Sequence, residues 1–260
     1  MTKSTTDNSD GTLLTFLADY ATALLACGAT CIRIEKNVSR IAARYGVTTE
    51  LTVMPSHVEI CRLDGGDGWR QVAVRRIGSG GISFARNAAL SRLSWDIADG
   101  KCSLAQGQQR FSKILATPPT DPMEVLLLSS VANASFCRLF GGDWIAMVIV
   151  FVATLAGMRL KQIMLESKID LRVTVLCAAF FSTAISAAGN VFGLGSTPET
   201  ALAAGVLYLI PGVPYINVVS DIIDRHYLCA FSRFMDACVL TICLSVGLTL
   251  GILVLGLKWI

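Results

Sequence analysis

Histidine is almost missing from this chain: His57 and His226 are the only two in 260 residues. The nine cysteines are scattered at positions 27, 31, 61, 102, 137, 177, 229, 238 and 243, with no Cys-x-x-Cys among them. Too few ligands at workable spacing remain for a zinc centre, and no metal is expected. Disulfides are not expected either, because no apolar leader precedes the first helix and the N-terminal half should stay in the reducing cytoplasm. There is no Gly-x-Ser-x-Gly and no His-Glu-x-x-His. A triad would need His57, which lies on a predicted strand between Ser56 and Glu59. Catalysis is therefore not expected. Gly78-Ser-Gly-Gly81 precedes a helix but lacks the Lys-Ser/Thr of a phosphate loop and the spacing of a dinucleotide fingerprint, so no cofactor is expected. No basic run is interleaved with aromatics, which argues against nucleic acid. Charged residues amount to only 16%.

What the chain has instead is apolar length, unevenly placed. Mean hydropathy is +0.59, yet residues 1–121 are polar and mixed while residues 122–260 are long apolar runs. Of the 22 basic residues, 14 precede Asp121 and 8 follow it, as suits a domain lying against an anionic inner leaflet. The fold class expected is an α-helical integral membrane protein with about five transmembrane helices, one of them Pro-broken, behind an N-terminal cytoplasmic α+β domain. After a disordered tip (1–11), apolar periodicity predicts helices over 12–27, 31–45, 82–98 and 103–115 and strands over 47–54, 57–63 and 70–76. Asp64-Gly-Gly-Asp-Gly68 is strong turn chemistry. The cytoplasmic domain thus covers 12–116 and a linker 117–121. Asp121-Pro-Met-Glu124 reads as a helix start, with Asp at the cap and Pro at the first position. Spans follow near 123–140, 144–160, 171–192, 200–223 and 230–256. Basic residues in the loops 159–172 and 224–233 place those loops inside, and Gly193–Pro198, without any, outside.

One segment concentrates the polar chemistry. Ala203–Asp221 is apolar enough for a bilayer, yet Pro211-Gly212-Val213-Pro214 falls in its middle. Each proline removes a donor and clashes with the turn before it. Backbone freed in this way must face protein or a water-filled cavity, and such breaks recur at transporter binding sites. Asn217 and Asp221 follow one turn apart, on the face that Pro214 shares. With Tyr208, Pro211 and Gly212 they form a candidate solute and proton path; a kinked helix whose Asp221 has reached the cytoplasmic interface is the alternative. On the preceding span Ser182, Ser186 and Asn190 make a polar stripe, read either as support for that path or as interhelical hydrogen bonding. Arg138, at the outer end of the first span, offers a carboxylate receptor or a snorkelling cation. Asp236 is either a relay carboxylate or the i,i+3 partner of Arg233. Arg33 and Glu35 flank Ile34 on a helix and read as salt-bridge or interface residues, with a regulatory site as the second reading.

Three blocks carry a resemblance. Leu209-Ile-Pro-Gly-Val-Pro-Tyr-Ile-Asn-Val-Val-Ser-Asp221 resembles the signature of the threonine/serine exporter (ThrE) family. Cys27-Gly-Ala-Thr-Cys-Ile-Arg-Ile-Glu-Lys-Asn-Val-Ser-Arg-Ile-Ala-Ala-Arg-Tyr-Gly46 is similar to that family's opening motif, and Phe140-Gly-Gly-Asp-Trp144 to the turn after its first membrane helix. The resemblance implies proton-motive-force-driven export of small polar carboxylate metabolites, threonine and serine or a dicarboxylate such as succinate, across a bacterial inner membrane. Whole transport units in that family have about ten spans. Five imply the larger subunit of a split form, partnered by a small membrane subunit of the same family. The competing class is a membrane-anchored assembly or regulatory subunit whose cytoplasmic domain is the working part.

Overall fold

In the computed structural model, residues 4–63, 71–78 and 80–256 are described, with side chains from residue 11 onward. The turn at Asp64–Gly68, Ser79 of the glycine-rich stretch and Lys258 lie outside the described residues. The chain divides into two compact units. The first comprises Met1–Pro118 together with Val213–Phe234, and the second Pro119–Gly212 together with Met235–Ile260.

The first unit is built around α1 (Ser4–Ala26), which is already helical ahead of the expected start at residue 12. From Leu13 onward this helix buries most of its surface, with Leu17, Ala18, Tyr20, Ala21 and Leu24 fully enclosed. A helix apolar on nearly all sides belongs at the centre of a domain. Three short strands form an antiparallel meander in the order β1 (Thr49–Val53), β2 (His57–Arg62), β3 (Val72–Arg76). Leu51 pairs with Ile60, and Ile60 with Ala73, so one face carries the apolar positions. Val58, Ile60 and Ala73 enter the same core as α1. Helices α2 (Cys31–Arg44), α3 (Phe84–Ala98) and α4 (Leu104–Ala116) complete the layer. Ser103 and Gln106 make the reciprocal capping box that starts α4. The Tyr20 hydroxyl donates to the Leu90 carbonyl at 2.7 Å, and the Thr22 hydroxyl to the Ala18 carbonyl one turn back, so the polar atoms that α1 buries are satisfied.

The second unit is helical. Helix α5 (Pro122–Leu139), capped by Asp121, turns at Gly141-Gly142 into α6 (Trp144–Glu166). Helix α6 runs past residue 160, so Arg159 and Lys161 are helical rather than in a loop; it stops where Lys168 adopts a left-handed φ of 58°. Helix α7 (Leu171–Ser186) is followed by the short α8 (Ala188–Phe192), α9 (Pro198–Ala204) and a single 3-10 turn at Leu207–Leu209. Helix α10 (Gly212–Ile223) leads to α11 (Tyr227–Val254), whose first turns belong to the first unit and the remainder to the second.

Among the described residues, three helices are long and apolar enough to cross a membrane: Trp144–Glu166, Leu171–Phe192 and Tyr227–Val254. The pair Pro198–Leu209 and Gly212–Ile223 makes a fourth if it is one broken span. The first of the five expected spans is helical but falls short, because Glu124, Asn133, Arg138 and three serines interrupt the 18 residues of α5. The break in the fourth segment also lies earlier than expected. The irregular stretch runs from Gly205 to Pro211, whereas Pro214 sits in the first turn of α10, where a missing N–H leaves no intrahelical bond unmade.

Asp143 ties two turns of the second unit together. One oxygen caps α6 by accepting from the Ala146 N–H at 2.6 Å, and the other accepts from the Ser196 N–H and hydroxyl. Its own N–H donates to the Thr197 hydroxyl at 2.8 Å. The Ala146 and Ser196 hydrogen bonds hold its carboxyl down at about 2, from an ordinary 3.8. A depressed carboxylate contributes stability above its unfolded value and loses it as pH falls through the folded one. Asp143→Ala should therefore loosen this turn at pH 5–7, with the difference from wild type vanishing toward about pH 2; cleavage by an acid-tolerant protease within 193–197 reads this. In the first unit, Ile60→Ala should cost about 2–5 kcal/mol, read by denaturant unfolding of the detergent-solubilised chain.

Candidate functional site

The first unit gathers a set of polar groups around Asp221. This carboxylate is fully buried, and Oδ1 accepts from the backbone N–H of Cys31 at 2.8 Å. Cys31 is the first residue of α2, and its N-cap, Thr30, contributes no side-chain hydrogen bond. Asp221 thus serves from a distance as the acceptor that an N-cap normally provides, and its charge sits where the helix dipole favours an anion. Oδ2 lies 2.9 Å from Nη1 of Arg233. Neither of these two atoms is aligned for a hydrogen bond, so charge rather than orientation holds the pair. Arg233 also donates to the Ala29 carbonyl at 2.8 Å, and the Asn217 amide to the Gly28 carbonyl at 2.9 Å. The turn Gly28–Thr30 between α1 and α2 therefore has its exposed carbonyls and the first N–H of α2 taken up by side chains of α10 and α11.

Local sequence places these groups. Asn217 and Asp221 are one turn apart on α10. Arg225 then ends the helix with a left-handed φ of 64°, and the His226 N–H returns to the Asp221 carbonyl at 2.7 Å. Residues in this conformation at a helix end are commonly Gly; here Arg225 carries the strain. Nε2 of His226 lies 3.6 Å from a Glu35 carboxylate oxygen, and Arg33 donates to the Asn87 amide oxygen at 3.2 Å. Glu35 and Arg33 are thus contact residues between elements. Sγ of Cys31, Sγ of Cys229 and a carboxylate oxygen of Asp221 lie within 4.8 Å of one another, a metal-type donor group among the described residues. The Arg233 guanidinium already supplies positive charge there. The neighbouring Cys229 thiol, and then burial, push the Cys31 thiol up.

The second unit carries a separate polar seam. Asn133 on α5 is 3% exposed; its amide donates to the Thr154 hydroxyl at 2.6 Å and to the Ala204 carbonyl at 3.0 Å. Both amide hydrogens are used, which leaves its carbonyl oxygen for any further partner. The hydroxyls of Ser182 and Tyr208 are 2.9 Å apart, and Ser182 also donates to the Ala153 carbonyl at 3.3 Å. Gly157 makes this meeting possible, since a Cβ there would collide with both hydroxyls. Beside the seam lies an open groove of about 490 Å³ lined by Ser129, Asn133, Phe136, Phe140, Tyr208 and Gly212, among others. Among the described residues, no lining side chain is charged.

The remaining expected site residues are dispersed. Pro211 is buried at the break, and Gly212, with its N–H on the Ile210 carbonyl at 2.8 Å, lines the groove. Pro214 lies in the first unit. Asn190 is half-buried in α8 of the second unit, so it does not share a unit with Asn217 and Asp221. Arg138 is bound to its own turn, donating to the Gly142 carbonyl at 3.0 Å with its guanidinium 5.6 Å from the Trp144 ring. Asp236 is exposed, and Arg233 pairs with Asp221 instead. Sequence reasoning missed Asn133, Thr154, Cys31, Cys229 and the role of Arg233. An amide in the middle of an apolar helix was the available signal for Asn133; nothing local announces the others.

Comparison with known proteins gives these sites a setting. The family described as "Putative threonine/serine exporter" matches residues 15–255. Over 158 residues the chain is 33% identical to the "Probable succinate transporter subunit YjjP" of Escherichia coli (strain K12), covering 59% of this chain and 60% of that protein. Over 155 residues it is 32% identical to the protein of the same name from Klebsiella aerogenes, covering 58% of each. The chain thus spans about three fifths of the length of these relatives. No solved structure matches it significantly. The three sequence blocks and the helical membrane architecture agree with the match, and the chain belongs to the threonine/serine exporter (ThrE) family.

Proposed function

We propose that this chain is one subunit of a proton-driven exporter of small polar carboxylate metabolites in a bacterial inner membrane, with its N-terminal domain on the cytoplasmic side. The observation that carries the reading is the groove beside the break at Gly205–Pro211. There Tyr208, Asn133 and Gly212 put a phenol, an amide and loosened backbone along one apolar-walled hollow. Ligand sites are commonly mostly apolar with a few fixed polar groups. Among the described residues no cation lines the groove, and in this reading it is half of a carboxylate site. The countercharge comes from a second, small membrane subunit of the same family that closes the open side. The relatives are each named a "transporter subunit", which supports this division of labour.

Asp221 supplies the proton step in this reading, acting on shape rather than touching the solute. Protonating it would leave the Arg233 guanidinium buried without its counter-ion, a costly state, and would weaken the acceptor for the first N–H of α2. Proton arrival thus loosens the tie between α10–α11 and the Gly28–Thr30 turn. Pro214 and Asn217 set the geometry of that tie.

The test is efflux of preloaded labelled threonine, serine or succinate from cells lacking their own exporters, with this chain expressed alone and with the small subunit, at matched folded amounts. Export only with both chains is expected. Tyr208→Phe should slow it roughly five- to tenfold, the worth of about 1–1.5 kcal/mol of hydrogen bonding. Asp221→Asn should abolish uphill export and its pH dependence. Full-rate export by this chain alone contradicts the split arrangement. Unchanged pH dependence in Asp221→Asn contradicts the proton role.

A further inference from the structure

The thiols of Cys31 and Cys229 are 198 positions apart in sequence, yet in the fold their sulfurs lie within 4.8 Å of each other and of an Asp221 carboxylate oxygen. Both residues are buried, at 0% and 3% exposure, and they share a small apolar cluster with Val53. Such a pair is not sealed. Cys229 lines a cleft of about 260 Å³ whose walls include Val53, Met54, Arg225 and His226. Positive charge is close by: the Arg233 guanidinium lies 2.9 Å from Oδ2 of Asp221, the carboxylate grouped with the two thiols. Partly open surroundings with positive charge nearby are those in which cysteines react with oxidants, whereas a thiol sealed in apolar packing stays inert.

We propose that Cys31 and Cys229 form a reversible dithiol–disulfide pair, oxidised by a small hydroperoxide entering through the cleft at Cys229. The Cys229 sulfur attacks one peroxide oxygen; an S–O bond forms, the O–O bond breaks, and the departing oxygen leaves as water with the thiol's proton. The Cys31 sulfur then attacks the sulfenic sulfur; the S–S bond forms, the S–O bond breaks, and the hydroxyl leaves as a second water with the Cys31 proton. Two thiols and one hydrogen peroxide give one disulfide and two waters, the sulfurs losing two electrons and the peroxide gaining them. The product clamps the first turn of α2 to the first turn of α11, covalently locking the joint that Asp221 and Arg233 hold by charge. In a reducing compartment such a bond is transient and regulatory, and a thiol reductant reopens it.

The test uses the full chain in detergent, reduced, freed of reductant and exposed to hydrogen peroxide. Remaining thiols are alkylated, and tryptic peptides are mapped without reduction. Two of the nine thiols should disappear, with the His226–Arg233 peptide joined to the peptide ending at Arg33. That second peptide also holds Cys27, so fragment ions must assign the bridge to Cys31. Dithiothreitol should restore both thiols. Cys31→Ser should drive Cys229 on to sulfinic acid, and Cys229→Ser should leave Cys31 reduced. The proposal is overturned if both thiols remain alkylatable in the wild-type chain. It is overturned equally if Cys229 of the wild type reaches sulfinic acid while Cys31 stays free, or if the bridge forms through Cys27. A parallel sample with equimolar zinc separates the other use of this cluster: stoichiometric zinc binding that shields both thiols from alkylation would assign them to a metal instead.

Discussion

A carboxylate with no solvent exposure needs a reason to be charged where it is, and Asp221 has two. The Arg233 guanidinium lies 2.9 Å away and the first N–H of α2 is 2.8 Å away. Taking two such charges out of water costs several kcal/mol each, and only close mutual attraction and added hydrogen bonds offset it. Here the additions are specific. Arg233 also holds the Ala29 carbonyl, and Asn217 holds the Gly28 carbonyl. A buried pair of this kind contributes little net stability compared with apolar packing, but it strongly disfavours any arrangement that separates its members. It therefore fixes how α10 and the start of α11 meet the α1–α2 turn in the first unit.

The second unit is held by different means. Helices approach closely where small residues permit it. Gly247 and Gly251 of α11 sit against Leu176 and Thr183 of α7, and Gly157 admits the Ser182–Tyr208 pair. Ser182, Thr183 and Ser186 are buried among them. In a membrane, where lipid is as apolar as leucine, close packing and interhelical hydrogen bonds rather than hydrophobic burial drive such association. The groove at Asn133 and Tyr208 is where that packing is left open. The chain thus combines a charge-tied unit with a unit of small residues that leaves a partly polar hollow.

Much of this was legible in the sequence. Helix α2 begins at Cys31 and ends next to Gly46 as its pattern indicates, and Asp121-Pro122 starts α5 as capping chemistry requires. The three strands follow their alternation. Local patterns failed where a local rule had two outcomes. Proline breaks a helix interior but begins a helix well, so the break fell before Pro211 while Pro214 entered α10. Arg159 and Lys161 read as loop charges, yet both are good helix formers and α6 simply continued through them. The partners of Asp221 were not legible at all. Cys31 and Asp221 are 190 positions apart, and two of the family's sequence blocks proved to be the two sides of one contact. No periodicity carries that information; it exists only once the chain has folded.

The most direct measurement is a double-mutant cycle on the buried pair, read by denaturant unfolding of the full chain in detergent at neutral pH. Arg233→Gln and Asp221→Asn should each destabilise the chain by about 3–5 kcal/mol, since each leaves a buried charge alone. The double variant should recover part of that loss, with a coupling energy of about 1–3 kcal/mol. Losses that simply add, with coupling below about 0.5 kcal/mol, would mean that Asp221 and Arg233 are neighbours without being partners, and that something else holds α10 and α11 to the α1–α2 turn.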